Sequence, residues 1–170
     1  MRLVLGSIGV LLLGLVITAP DGRGADLKLV KLDLSKAGEV NDGKTKAPWR
    51  LTIQAPAGAK TQLVFGGIWV RDDLDTFDLA IELAKTKTIA DEKKEWTKDK
   101  ATKKIIVDKE DTLVREFEFG MATKRLAYQF VKFKTVGDKI YVMNGGGRSG
   151  ASKASVDLML KCADTLTPSK

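Results

Sequence analysis

The stretch YQFVKFKTVGDKIYVMNGGG, residues 128–147, together with ASKASVDLMLKCADTL, residues 151–166, decides the fold. Aromatic and β-branched residues interleaved with Lys predict strands over 126–135 and 139–143. Val136-Gly137-Asp138 between them is a tight hairpin connection. After the glycine run the period changes. Val156, Met159, Leu160, Ala163 and Leu166 fall at i, i+3, i+4, i+7 and i+10, which predicts an amphipathic helix over 151–166. Lys153, Asp157, Lys161 and Asp164 occupy its opposite face.

Working outward, residues 103–107 and 112–119 predict two more strands, and residues 88–98 (TIADEKKEWTK) a short, mostly exposed helix. Thr88 with Asp91 three residues on matches a capping box, and acidic residues suit its first turn. Trp96 is expected to be partly exposed. FDLAIEL, residues 77–83, alternates Phe77, Leu79, Ile81 and Leu83 against Asp78 and Glu82, a half-buried strand. QLVFGGIWVR, 62–71, reads as a strand with a bend at Gly66-Gly67, and WRLTIQ, 49–54, as a strand ended by Ala55-Pro56-Ala57-Gly58. Trp49 and Trp69 are expected in the core. Residues 26–34 suit an edge strand or arm, and 35–48 a surface loop. Strands arriving in a run predict an α+β fold: an antiparallel sheet of about six or seven strands, the C-terminal amphipathic helix and one short helix.

The N-terminus carries a destination. Met1-Arg2, an apolar run over 3–19 and the small-residue exit Gly22-Arg23-Gly24 compose a secretory signal over residues 1–24. The competing reading is an uncleaved apolar anchor tethering the domain. Removing 1–24 takes away two arginines and one aspartate, so the net charge falls from +7 to +6. The remaining chain divides into an arm and loop over 25–48 and one α+β domain over 49–167. The location implied is periplasmic or extracellular, with no transmembrane segment after cleavage.

The 170 residues include 29 Lys+Arg, 22 Asp+Glu, no His and one Cys. Absent His removes Ser-His-Asp and Cys-His nucleophile pairs and His-liganded zinc. One Cys removes internal disulfides and Cys-clustered metal sites. No cofactor is called for, and no catalytic or metal set emerges. Asp73 with Asp75 lacks the glycine and distal Glu of a calcium loop. Glu116 and Glu118 share one strand face and read as a solvent-facing surface. Cys162 at the edge of the apolar arc reads as a small core residue.

Two surfaces remain as binding candidates. Gly145, Gly146, Gly147, Arg148, Ser149 and Gly150 formally satisfy G-x-G-x-x-G after a strand and before a helix. The next strand of a dinucleotide unit has no room to follow. The loop therefore suits a connection, or a small-anion site using Arg148, Ser149 and Lys153 beside a helix start. Residues 85–104 hold eight Lys against four acidic residues; Lys93, Lys94, Lys98 and Lys100 form a basic contact surface for a polyanion or anionic envelope component. Arg and interleaved aromatics are missing there, so specific nucleic-acid binding is not expected.

The order of a strand, the Ala-Pro-Ala-Gly turn, several antiparallel strands and then YQFVKFKTVGDKIYVMNGGG into a helix ending CADTL resembles the Mog1/PsbP-like fold of exported bacterial proteins. The resemblance spans residues 49–166. It implies an αβα sandwich whose members act by binding other proteins, and it carries no catalytic residues with it. The expectation is a non-catalytic module binding a protein or an anionic envelope component. The alternative is a small-anion (phosphate or carboxylate) binding protein or enzyme using the 145–150 loop.

Overall fold

A computed structural model describes residues 28–37, 39–41, 46–64, 67–73, 76–86, 88–120, 124–148 and 150–169. The signal, the anchor, the bend at Gly66, Asp75 and Ser149 lie outside them.

In chain order the strands are β1 (Leu29–Asp33), β2 (Glu39–Asn41), β3 (Lys46–Pro48), β4 (Leu51–Pro56), β5 (Lys60–Val64), β6 (Gly67–Arg71) and β7 (Asp78–Leu83). Helix α1 (Ile89–Lys98) comes next, then β8 (Thr102–Asp108), β9 (Thr112–Phe119), β10 (Arg125–Val136), β11 (Lys139–Gly145), helix α2 (Lys153–Ala163) and β12 (Thr167–Pro168). Seven of these strands form one antiparallel sheet ordered β5-β6-β7-β11-β10-β9-β8, the α+β architecture expected. It consists of two meanders joined side by side. β10 and β11 close as the predicted hairpin, with Val136 opposite Lys139.

Consecutive residues of β10 show how the layers arise. Phe130 faces α2 and Val131 faces α1, because side chains alternate across a strand. The α2 side holds the main core: Ile68, Val70, Leu79, Ile81, Phe130 and Met143 from the sheet meet Val156, Met159 and Cys162 from α2. A second sheet of three strands, β1-β4-β12, closes this side. Leu51, Ile53 and Ala55 of β4 are buried there, so the 49–54 strand belongs to the small sheet and not the large one. The arm contributes as well. β1 pairs with β4, and Leu34 on the adjoining 3₁₀ turn is fully buried in the same core.

Residues 35–48, read from sequence as a surface loop, contain that turn and the β2–β3 ladder. Asn41-Asp42-Gly43 signals a hairpin turn as readily as a loop, and pairing gives the backbone groups partners.

On the other face α1 lies against β8, β9 and β10. Its start is the predicted capping box: the Asp91 N–H donates to Thr88 Oγ1 at 3.3 Å, and the Thr88 N–H to Asp91 Oδ2 at 3.0 Å. Trp96 corrects the expectation of partial exposure, being only 6% exposed. A helix this polar has two large apolar side chains to hold it, Ile89 and Trp96; Trp96 is the buried one and packs with Leu113 and Val131, with Ile89 against the same cluster. An indole buries roughly 150–250 Å² when covered, enough to dock two turns of helix.

Candidate functional site

Because α1 lies against β8 to β10, the half of that face formed by β5, β6, β7 and β11 is left open among the described residues. Its surface is set by the register. One row across the strands reads Gln62, Trp69, Ala80, Asn144, Val131, Leu113. The next reads Val64, Gly67, Glu82, Val142, Phe133. Ala80 and Gly67 put the least bulk at the centre, between Trp69 and the β11–β10 side chains. Any Cβ at Gly67 would stand 2.7 Å from Glu82 Cγ and 2.9 Å from the Ile81 carbonyl, so Glu82 lies across the glycine.

The result is a groove with two connected hollows. One, about 380 Å³, is lined by Trp69, Ala80, Arg115, Arg148 and others; the second, about 540 Å³, has Val131, Phe133 and Val142 as its floor and Trp96 and Glu92 of α1 in its wall. They share Glu82, Gln129 and Asn144. Trp69, expected in the core, is half-buried and forms a wall of the first hollow, whereas Trp49 is a core residue at 5.7 Å from the Tyr141 ring. Even-odd position within the strand decides this: Ile68 and Val70 take the core face, leaving Trp69 to the other.

Arg115 is the most constrained polar side chain in the groove. It is 11% exposed and lies between the rings of Trp96 and Phe117, at 4.9 and 4.8 Å. Its Nε donates to Gln129 Oε1 at 2.9 Å; its Nη1 donates to Asp99 Oδ2 at 2.5 Å and to Thr102 Oγ1 at 2.8 Å. Asp99 caps the C-terminus of α1, so this guanidinium ties helix to sheet. The Ala101 N–H and then Arg115 hold the Asp99 carboxyl below its ordinary range.

The glycine loop has a packing explanation. A Cβ at Gly145 would meet the Asp78 carbonyl at 2.6 Å and Met159 Sδ at 2.7 Å. Gly146 has φ +84°, and its Cβ would sit 2.3 Å from the Tyr128 carbonyl. The Ala151 N–H returns to the Gly146 carbonyl at 3.2 Å, and the Tyr128 N–H reaches the Ala151 carbonyl at 2.9 Å. Backbone thus abuts backbone where only glycine fits. Ser152 caps α2 by accepting from the Ser155 N–H at 3.1 Å. Of the side chains assigned to an anion there, Lys153 pairs with Asp157 at 2.7 Å, while Arg148 turns onto the open sheet face, 4.3 Å over the Trp69 ring.

Among the basic candidates, Lys93 is paired with Asp108 on β8. Lys94, Lys98 and Lys100 are exposed and in no ion pair among the described residues. Glu118 lies between Lys103 and Lys124, and Glu116 accepts from the Tyr128 hydroxyl at 2.8 Å, so both carboxylates are engaged. Asp73 pairs with Lys60 at 2.8 Å, and no metal-holding group of three ligands occurs among the described residues. Cys162 is fully buried and its thiol is pushed up to about 11, so it stays protonated near neutral pH. No helix among the described residues is long and apolar enough to cross a membrane.

Sequence reasoning missed the groove because its parts are distant in the chain: Trp69 and Arg148 meet across 79 positions, and Arg115 meets Asp99 across 16. The sequence signals were two small residues, Ala80 on the polar face of its strand and Gly67 in the strand before it. Neither a protein-family model nor a curated protein nor a solved structure matches the chain.

Proposed function

We propose that the chain is an exported, non-catalytic binding domain whose contact surface is the open-face groove, and that its partner is an extended polypeptide segment. One observation carries this: the groove joins an apolar floor to polar side chains that keep hydrogen-bonding capacity. Asn144 makes no side-chain hydrogen bond, and Glu82 no ion pair, among the described residues. An extended peptide presents that same alternation of apolar side chains and main-chain amides. β11 lines the groove with Val142 and Asn144, two residues apart on one face and so about 7 Å along the strand. Export is supported by the basic, apolar and small-residue order of residues 1–24. The layering of α1, sheet and α2 is compatible with the Mog1/PsbP-like relationship proposed from sequence.

The test is site-specific photo-cross-linking in the source cells, with a benzoylphenylalanine at position 142 on the groove floor or at position 94 on the outer face of α1. The reading expects adducts from position 142 to converge on one contiguous segment of one protein. Equal or greater yield from position 94 would instead favour the basic surface of α1 and overturn it.

A further inference from the structure

We infer that Glu82 receives a basic side chain, Lys or Arg, of the bound segment; the inference rests on the groove reading above and names a residue that the segment must carry. Glu82 stands where the two hollows join and lines both. Its cross-strand partners are Gly67 on β6 and Val142 on β11, and its diagonal neighbours are Trp69 and Asn144. Ala80 and Ala84 lie two residues either way along the chain. None of these carries charge, and among the described residues the Glu82 carboxylate is in no hydrogen bond or ion pair.

The other charges of the groove do not answer it. Asp78 and Glu92 have interactions of their own, and Asp99 is bound to Arg115. Arg148 rests on Trp69, Lys85 is exposed beyond the end of β7, and neither forms an ion pair with Glu82. With Asp99 counted beside Arg115, four carboxylates stand against three cations, Arg115, Arg148 and Lys85. The groove thus runs negative by one charge in a chain whose net charge is +7.

A segment lying along the groove covers Glu82, because the missing Cβ of Gly67 lets that side chain lie across β6, in the segment's path. A carboxylate taken out of water without a cation is strongly disfavoured. An apolar side chain or a main-chain amide over Glu82 would leave its charge unbalanced, whereas a basic side chain balances it. Beside Glu82 the floor of Val142, Val131 and Phe133 takes the methylene stem. Asn144, whose side chain makes no hydrogen bond among the described residues, offers the cation a second acceptor.

The test is an NMR titration of the protein, read at the side-chain signals of Glu82, Asn144, Val131 and Val142. The probes are N-acetylated, C-amidated pentapeptides of Ala, Val and Leu with Lys or Arg at the centre, the same peptides with norleucine or Glu there, and n-butylamine. The basic peptides should bind tighter than the norleucine peptides by roughly tenfold, the scale of one hydrogen bond to a charged group, against the repulsion of the chain's net positive charge. Glu82→Gln, at an exposed position, should remove that advantage without lowering Tm, and Glu110→Gln in the β8–β9 turn should keep it. Equal binding of basic and norleucine peptides, a comparison that needs no variant, would overturn the role of Glu82 and, with shifts at Val131 and Val142, leave the groove reading standing. No shift in the groove from any peptide would overturn both. Glu peptides binding as tightly as the basic ones, or a basic advantage that survives Glu82→Gln, would overturn the assignment to Glu82. Butylamine binding as tightly as the basic peptides would overturn the assignment to a polypeptide.

Discussion

Adjacent glycines in the 145–150 loop should respond very differently to alanine. At Gly146 the new Cβ would lie 2.3 Å from the Tyr128 carbonyl and 3.0 Å from Val156 Cγ2. Tyr128 cannot retreat: it is held in the β10 ladder opposite Glu116 and donates its N–H to Ala151. Left-handed backbone costs an alanine roughly 1–2 kcal/mol, and overpacking typically about 1–3 kcal/mol, so Gly146→Ala should lose roughly 2–5 kcal/mol. At Gly147 the new Cβ would meet only the end of the Gln129 side chain, at 2.7 Å. That side chain can swing away, giving up its bond from the charged Arg115 at a cost of about 1.5 kcal/mol. Urea unfolding followed by circular dichroism separates the two. With a slope of about 1–3 kcal/mol/M, Gly146→Ala should lower the midpoint by roughly 1–3 M and Gly147→Ala by well under half of that. Equal losses at the two positions, or a neutral Gly146→Ala, would refute the view that the loop is shaped by packing.

Trp96→Ala removes the sole fully packed anchor of α1 and should cost roughly 3–5 kcal/mol in the same assay, with faster amide exchange over residues 89–98. Cys162 should not react with a thiol reagent at pH 8 until the protein is unfolded. Its folded value of about 11 lies above the ordinary 9.0, so the associated stability is complete below pH 9 and is lost as pH rises from 9 to 11. For Asp99 the shift runs the other way. The stability is complete above its ordinary 3.8 and is lost as pH falls through the depressed folded value, so Asp99→Asn should flatten the acid limb of a stability–pH curve.

Much of the fold was legible because it is written locally. The period of Val156, Met159 and Ala163 gives the buried stripe of α2, Thr88 and Asp91 give the start of α1, and Val136-Gly137-Asp138 gives the hairpin. The features that escaped depend on partners far away. Whether Trp69 enters the core or the groove is settled by which face of the sheet α2 and the small sheet cover. The burial of Trp96 is set by Leu113 and Val131, residues from two other strands. Arg148 was visible as a loop arginine, but not its turn away from Lys153 toward Trp69, which depends on β6 lying two strands from β11. Arg115 gave no signal at all, since one arginine in an alternating strand looks like any solvent-facing charge.

The central claim is that ligand binding belongs to the open half of the large sheet. The most direct measurement is a backbone and indole chemical-shift map of the protein titrated with the segment recovered by cross-linking. The account predicts changes confined to β6, β7, β11 and the adjoining part of β10, with the Trp69 indole among the largest. Changes centred on Lys94, Lys98 and Lys100, or on the outer face of α2, would contradict it.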